Sequence, residues 1–287
     1  MAKKLLVLGS DGLLGSRITS GAWLKDWDIL TDKRLPKSRV DLSDSDDCLR
    51  LLTHAMPDAI LNLVALTNVD VCEAQPVRAY SANVKVVENI ANWMHGLNKD
   101  VHFVHLSTDQ VYSGVGPHPE SFAAPMNYYG FSKYAGELAA KGVGATILRT
   151  NFIGKSATPA RQSLTDWLFE SLAAGKRTTV FTDLFFTPIS LNTLCRYIEI
   201  VLTSGKRGTF NVGSRDGMSK AEFAENFARR LGANMHLLVH CESSSTGLLR
   251  APRPSDMRMN VQKFEDLIQM NLPDLSHEID IVIKEYV

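Results

Sequence analysis

The chain has 287 residues, 45% of them hydrophobic and 22% charged; this globular composition excludes a disordered or fibrous protein, and the length allows one large domain or two small ones. Lys+Arg and Asp+Glu both number 31, so the formal net charge is zero, which argues against a whole-molecule basic footprint for nucleic acid and leaves any anion to be held by local devices. The four cysteines, Cys48, Cys72, Cys195 and Cys241, form neither a C-x-x-C pair nor a zinc-like spacing with histidine, so they read as reduced thiols in a cytoplasmic setting, and no apolar run is long enough for a signal segment or a membrane span.

Leu5 to Leu8 is a continuous apolar run ending at Gly9, the pattern of a strand buried on both faces. A helix is expected from Leu13, and a short strand over 28–31. Ser43 is read as the N-cap of the next helix, with Asp44, Asp46 and Asp47 in its first turn, where carboxylates complement the helix dipole. Residues 59–64 form another buried strand. Pro76 opens a helix whose apolar stripe runs through Val77, Tyr80, Val84, Val87, Ala91 and Met94. Strands over 101–106 and 145–148 flank a helix over 128–140. Strands thus alternate with helices through residue 150, which predicts a parallel sheet covered on both faces.

Beyond residue 150 the pattern loosens. Residues 152–163 read as a loop, 164–174 and 191–202 as helices, and 209–212 as a strand. Ser219 and Glu222 form a capping box ahead of Phe223, Phe227 and Leu231, with Gly232 where a C′ glycine belongs. Residues 242–247 read as a loop.

The first strand-to-helix turn is Gly9-Ser-Asp-Gly12-Leu-Leu-Gly15. Glycine permits positive φ, lets the backbone approach a pyrophosphate and packs the helix on the strand. The helix start then offers unpaired N–H groups to the anion. Gly9, Asp11, Gly12, Leu13 and Leu14 are therefore expected at a dinucleotide. Asp32, 23 positions after Gly9, stands where an acid bonds an adenosine 2′-OH. Lys33 and Arg34 follow at once and suit a 2′-phosphate. The balance leans to NADP(H) over NAD(H). Asp41 and Leu42 are expected by the adenine.

Tyr129 and Lys133 lie four residues apart, on one face of a helix. A phenol near pKa 10 is a poor acid or base at neutral pH, and a neighbouring cation brings it into range. Thr108, at the end of the fourth strand, offers a hydroxyl to a substrate oxygen. Both features sit at carboxyl ends of strands, where open α/β sheets bind ligands.

Gly9-x-x-Gly12-x-x-Gly15, Asp41-Leu42, Asn62-Leu-Val-Ala-Leu-Thr67, Asn83, Ser107-Thr-Asp109 and Tyr129-x-x-x-Lys133 together resemble the extended short-chain dehydrogenases/reductases. Within them the chain is most similar to the dTDP-4-dehydrorhamnose reductase family. The segments carrying this are PDAILNLVALTNVDVCEAQP from Pro57, STDQVYSG from Ser107, YGFSKYAGE from Tyr129, LRT from Leu148 and APRP from Ala251. The resemblance spans nearly the whole chain.

It implies a Rossmann-type doubly wound parallel sheet over 1–150, rejoined by about 187–212. A smaller, discontinuous α/β substrate-binding part would come from the remainder of 151–287. It implies reduction of a 4-keto-6-deoxy sugar nucleotide by NAD(P)H, as in dTDP-rhamnose biosynthesis. Tyr129 would protonate the carbonyl oxygen as hydride arrives, and Lys133 would lower its pKa and hold the nicotinamide ribose. Thr108 would bond the 4-oxygen, and Asp109 would contact the sugar. Val64, Ala65 and Leu66 would line the cofactor, with Asn83 and Leu106 nearby, and Arg253 would meet the nucleotide diphosphate.

Two departures bear on the sugar. Phe152, preceded by Asn151, stands where the family has a substrate-contacting tryptophan. Arg17 stands where some relatives carry a glutamate used for magnesium, so no metal is expected. The expected partners are a nucleotide sugar and a second copy of the chain in a homodimer, with no nucleic acid and no membrane. The alternatives are an epimerase or dehydratase of the same fold, which Gln110 after Asp109 weakens, and a non-catalytic NADP-binding regulatory subunit.

Overall fold

The alternation of buried strands and amphipathic helices is realised in a computed structural model, which describes residues 2–20, 23–32, 40–158 and 161–287. Strands β1 (Lys3–Leu8), β2 (Trp27–Thr31), β3 (Ala59–Asn62), β4 (His102–Thr108), β5 (Thr146–Thr150) and β10 (Gly208–Val212) form one sheet. Its order is β2-β1-β3-β4-β5-β10, with every pairing parallel. The strand β10 therefore returns, after a long excursion, to pair with β5.

The two-residue period of the strands sorts the core into two layers. Leu5 and Val7 face one side, packed with Leu14 and Ile18 of α1 (Leu13–Ser20) and with Leu194, Ile198 and Val201 of α8 (Leu191–Ser204). Leu6 and Leu8 face the other, against Leu51 and Leu52 of α2 (Ser45–Ala55), Val87 and Ile90 of α5 (Val86–His95), and Ala140 of α6 (Tyr128–Gly142). A separate core joins α7 (Leu164–Ala173), α9 (Lys220–Arg230) and α11 (Leu275–Ile283) around Leu168, Phe223, Phe227 and Ile279. A short strand, β6 (Phe152–Ile153), opens the stretch read as a loop and pairs in parallel with β9 (Ile189–Ser190).

Local details follow from side-chain chemistry. The cap of α2 is Asp44, not Ser43. The Asp44 carboxylate accepts from the amides of Asp46 and Asp47, while the Ser43 hydroxyl is taken by Asp41 at 2.7 Å. The capping box of Ser219 and Glu222 forms as the spacing predicts. The helix opened by Pro76 is interrupted. After α3 (Val69–Ala74) and α4 (Pro76–Tyr80), a π turn over Ser81–Lys85 precedes α5. That wider turn breaks the expected stripe. Val77 is 78% exposed and Tyr80 is also exposed, whereas Ala79 and Asn83 are buried.

The strand order reverses between β1 and β3, and the crevice above their carboxyl ends is where this architecture binds ligands. Gly9, Gly12, Val64, Ala65, Thr108 and Asp109 come from that edge, and Tyr129 and Lys133 from α6 beside it.

Candidate active site

The first wall of the crevice is the glycine turn. Gly9 has φ +81°, and a Cβ on it would stand 3.0 Å from the Leu63 carbonyl carbon and the Val64 nitrogen. A Cβ on Gly15 would lie 2.3 Å from the Gly9 carbonyl oxygen. The turn is thus flush against the end of β3, and α1 enters directly behind it. The first N–H groups of α1 have no partner within the helix. Asp32, at the end of β2, accepts from the Ser10 hydroxyl at 2.8 Å and from the Gly9 amide at 3.3 Å. The acid read as a ribose ligand therefore also braces the turn. Lys33 and Arg34 lie outside the described residues.

The crevice has two compartments. One, of 620 Å³, is lined by Gly9, Asp11, Gly12, Asp32, Asp41, Leu42, Val64 and Ala65. Hydrogen bonds from Ser43 hold the Asp41 carboxyl below its ordinary range. The other, of 540 Å³, is lined by Gly12, Leu13, Leu14, Ala65, Leu106, Thr108, Asp109, Tyr129, Lys133, Asn151 and Phe152. A larger depression of 760 Å³ between α8 and α11 contains none of the residues singled out from the sequence.

In the second compartment α6 carries Tyr129 and Lys133 one turn apart. Both are buried, at 8% and 2% exposure. Burial lifts the Tyr129 phenol above its ordinary value; its Thr108 hydrogen bond opposes this. Burial pushes the Lys133 ammonium down to about 8, against the pull of Glu137. Its Nζ donates to the Leu106 carbonyl at 2.6 Å. The expectation that Lys133 depresses the phenol is not met in this state, where desolvation dominates and Tyr129 rests protonated.

Thr108 donates to Asp109 at 3.1 Å, and Asn151 donates to the other Asp109 oxygen at 2.8 Å. Burial pushes Asp109 up to about 6. Beneath Lys133, Asn62 bonds His105 Nδ1 at 3.2 Å. Burial and the Lys133 charge hold that imidazole neutral, well below its ordinary pKa.

Leu66, Asn83 and Arg253, all expected at the ligands, stand outside the lining of both compartments. Asn83 accepts from the Leu66 amide at 2.8 Å and donates to the Leu66 carbonyl and to Ser132, at 3.1 and 2.9 Å. It fixes the segment after β3, as Leu66 packs against the cluster around Tyr129. Arg253 is held by Asp70 at 3.0 Å and by the Ala251 carbonyl at 2.8 Å. Arg17 pairs with Glu285 at 3.0 Å. Among the described residues no group of three or more His, Cys, Asp or Glu side chains is placed to hold a metal ion. Nor is any helix long and apolar enough to cross a membrane.

The sequence reading missed Arg161, Gln162 and Ser163, which line the second compartment from the segment before α7. Their stretch is small and polar, and nothing in its spacing pointed to the crevice.

Residues 3–287 match the family model described as RmlD substrate binding domain. The chain is 28% identical to "Probable low-salt glycan biosynthesis reductase Agl14" of Haloferax volcanii, over 95% of both chains. It is also 28% identical to a dTDP-4-dehydrorhamnose reductase of Sinorhizobium fredii, over 94% of this chain and 93% of that one. A crystal structure of dTDP-4-dehydrorhamnose reductase from Bacillus anthracis in complex with NADP superposes with a TM-score of 0.88 at 23% identity, covering 99% of this chain and 100% of the other.

Proposed function

Because the chain belongs to the RmlD substrate binding domain family, we propose that it is an NADPH-dependent reductase of a 4-keto-6-deoxy sugar nucleotide. The observation that carries this reading is the convergence of Thr108, Tyr129 and Lys133 in one compartment of a crevice whose other compartment opens on the glycine turn.

The residues present fit the cofactor. The backbone at Gly9 and Gly15 leaves no room for a side chain, and it brings the free N–H groups of α1 to the place where a diphosphate is best held. Gly9, Gly12, Leu13 and Leu14 would hold the diphosphate. Asp32, Asp41, Leu42 and Val64 would hold the adenosine, and Ala65, Leu106, Tyr129 and Lys133 the nicotinamide ribose. Asp11, Leu66 and Asn83 complete the surroundings. The bound group supplies the two electrons of the reduction as hydride.

The chain supplies the proton. A buried phenol, protonated at rest, is ready to donate to a carbonyl oxygen placed between Tyr129 and Thr108. Lys133, still largely charged at neutral pH with its pKa near 8, stabilises the phenolate that donation leaves. Asp109 and Asn151 offer an acceptor and a donor to sugar hydroxyls, and Phe152 offers an apolar face. Arg253 reaches a substrate diphosphate by exchanging Asp70 for phosphate.

The proposed division puts the cofactor on residues 1–150 with 187–212, and the substrate on the rest of 151–287. We place the chain in a reducing, cytoplasmic setting, supported by its four free cysteines. A homodimer is supported by Val77 on α4 and Phe131 and Leu138 on α6, which remain exposed. The test of function is NADPH oxidation by dTDP- and GDP-linked 4-keto-6-deoxy sugars, with Tyr129→Phe as control.

A further inference from the structure

Two compartments share Gly12, Leu63, Ala65 and Arg161. Three of these belong to the floor of the crevice, at the glycine turn and the end of β3. The fourth comes from the opposite wall, on the segment between β6 and α7. Among the described residues, Arg161 is the one cation that lines both compartments.

The backbone that carries Arg161 is pinned on both sides. Towards β6, the Lys155 amide donates to Glu285 at 2.6 Å, and the Lys155 carbonyl accepts from Arg17 of α1 at 2.9 Å. Glu285 also pairs with Arg17, so this end of the segment is tied to the helix that begins at the glycine turn. The Ser156 amide then donates to Asp166 at 3.1 Å, and the Arg161 amide donates to Thr158 at 3.0 Å. Towards α7, Ser163 and Asp166 close a capping box. Gln162, beside Arg161, bonds Glu170 at 2.7 Å.

Arg161 itself is exposed. Its guanidinium has no hydrogen-bond or ion-pair partner among the described residues. The adenosine compartment it enters is rich in carboxylates, with Asp11, Asp32 and Asp41 in its lining. A neutral chain offers a dinucleotide no broad attraction. One fork-shaped cation facing the helix start would supply the charge that an oxygen-rich diphosphate needs.

We propose that Arg161 clamps the diphosphate of the dinucleotide cofactor against the start of α1, from the wall opposite the glycine turn. The assignment rests on the cofactor reading given above. Arg161 is a binding residue, placed to act on affinity and not on the proton transfer at Tyr129.

The test is calorimetric titration of the wild type, Arg161→Ala and Arg161→Lys with NADP⁺ and, separately, with adenosine 2′-monophosphate, which lacks the diphosphate. Loss of a charge-assisted contact should weaken NADP⁺ about tenfold or more in Arg161→Ala. Arg161→Lys should fall between, because an ammonium cannot grip two oxygens at once. Affinity for adenosine 2′-monophosphate should be the same in all three proteins. NADP⁺ affinity in Arg161→Ala within twofold of wild type overturns the assignment alone, as does equal weakening of both ligands. Failure of the wild type to bind NADP⁺ or NAD⁺ overturns the cofactor reading and the assignment with it.

Discussion

Glu137 to Gln is the most informative single perturbation of the scaffold beneath the site. Glu137 is fully buried and lies one turn beyond Lys133 on α6. Its two oxygens accept from Arg149 Nε at 2.9 Å and Nη2 at 2.7 Å, and one also accepts from Ser107 at 2.6 Å. Arg149 is 1% exposed. Its remaining donor, Nη1, bonds the Tyr112 hydroxyl and the carbonyls of Glu120 and Phe122. The pair therefore ties α6 to β5 and, through Ser107, to the strand that ends in Thr108.

Removing the carboxylate charge leaves a buried guanidinium uncompensated, which costs about 3–5 kcal/mol. For a chain of this size that lowers Tm on the order of 10 °C. Replacing both partners by methionine removes the orphaned charge as well, so the double variant should be more stable than Glu137→Gln. The assay is calorimetric unfolding of wild type, Glu137→Gln and the double variant. A further consequence concerns Lys133, whose ammonium loses the one carboxylate that supports it. In Glu137→Gln the alkaline fall of activity should move to lower pH. A Glu137→Gln variant within 1 kcal/mol of wild type, with an unmoved pH profile, would refute the reasoning.

Other outcomes follow from the same geometry. Tyr129→Phe should lower kcat/KM about 10²–10⁴-fold while NADPH affinity stays within twofold, read by steady-state kinetics and titration. Gly15→Ala drives a methyl into the Gly9 carbonyl. It should cost about 1–3 kcal/mol of stability and weaken NADPH binding, measured by unfolding and calorimetry. Asp109 is pushed up from 3.8 to about 6, so its ionisation opposes folding above pH 6 and does not below pH 4. Asp109→Asn should accordingly gain on the order of 3 kcal/mol relative to wild type between pH 4 and pH 7.5, seen in urea unfolding at the two pH values. With Lys133 near 8, activity that needs its ammonium should fall as pH rises through that value.

Local chemistry was readable from the chain; long-range engagement was not. Gly9, Gly12 and Gly15 recur every third residue within one short stretch, and the turn they make depends on their own missing side chains. Tyr129 and Lys133 share a helix face by spacing alone. The continuous apolar run Leu5-Leu6-Val7-Leu8 announces a strand buried on both sides, and both layers of the core use it.

The π turn at Ser81–Lys85 has no such signature, so the stripe through Val77 and Tyr80 was misplaced. Asp32 bracing Ser10, Arg253 held by Asp70 and Arg161 reaching the crevice all depend on contacts across 20 to more than 100 positions. The depressed and elevated ionisations at Lys133 and Asp109 come from burial, which no spacing expresses. Spacing alone places a cation one turn from Tyr129 and so predicts a lowered phenol, whereas the desolvation that raises it has no expression in spacing.

The central claim is that the crevice reduces a nucleotide-linked 4-keto sugar with Tyr129 as proton donor. The most direct test follows the absorbance of reduced nicotinamide on mixing the wild-type protein, NADPH and dTDP-4-keto-6-deoxy sugar. The account predicts oxidation stoichiometric with the alcohol formed, slowed about 10²–10⁴-fold in Tyr129→Phe although that variant still binds NADPH. No oxidation with dTDP- or GDP-linked 4-keto sugars and either cofactor, or an undiminished rate in Tyr129→Phe, would contradict it.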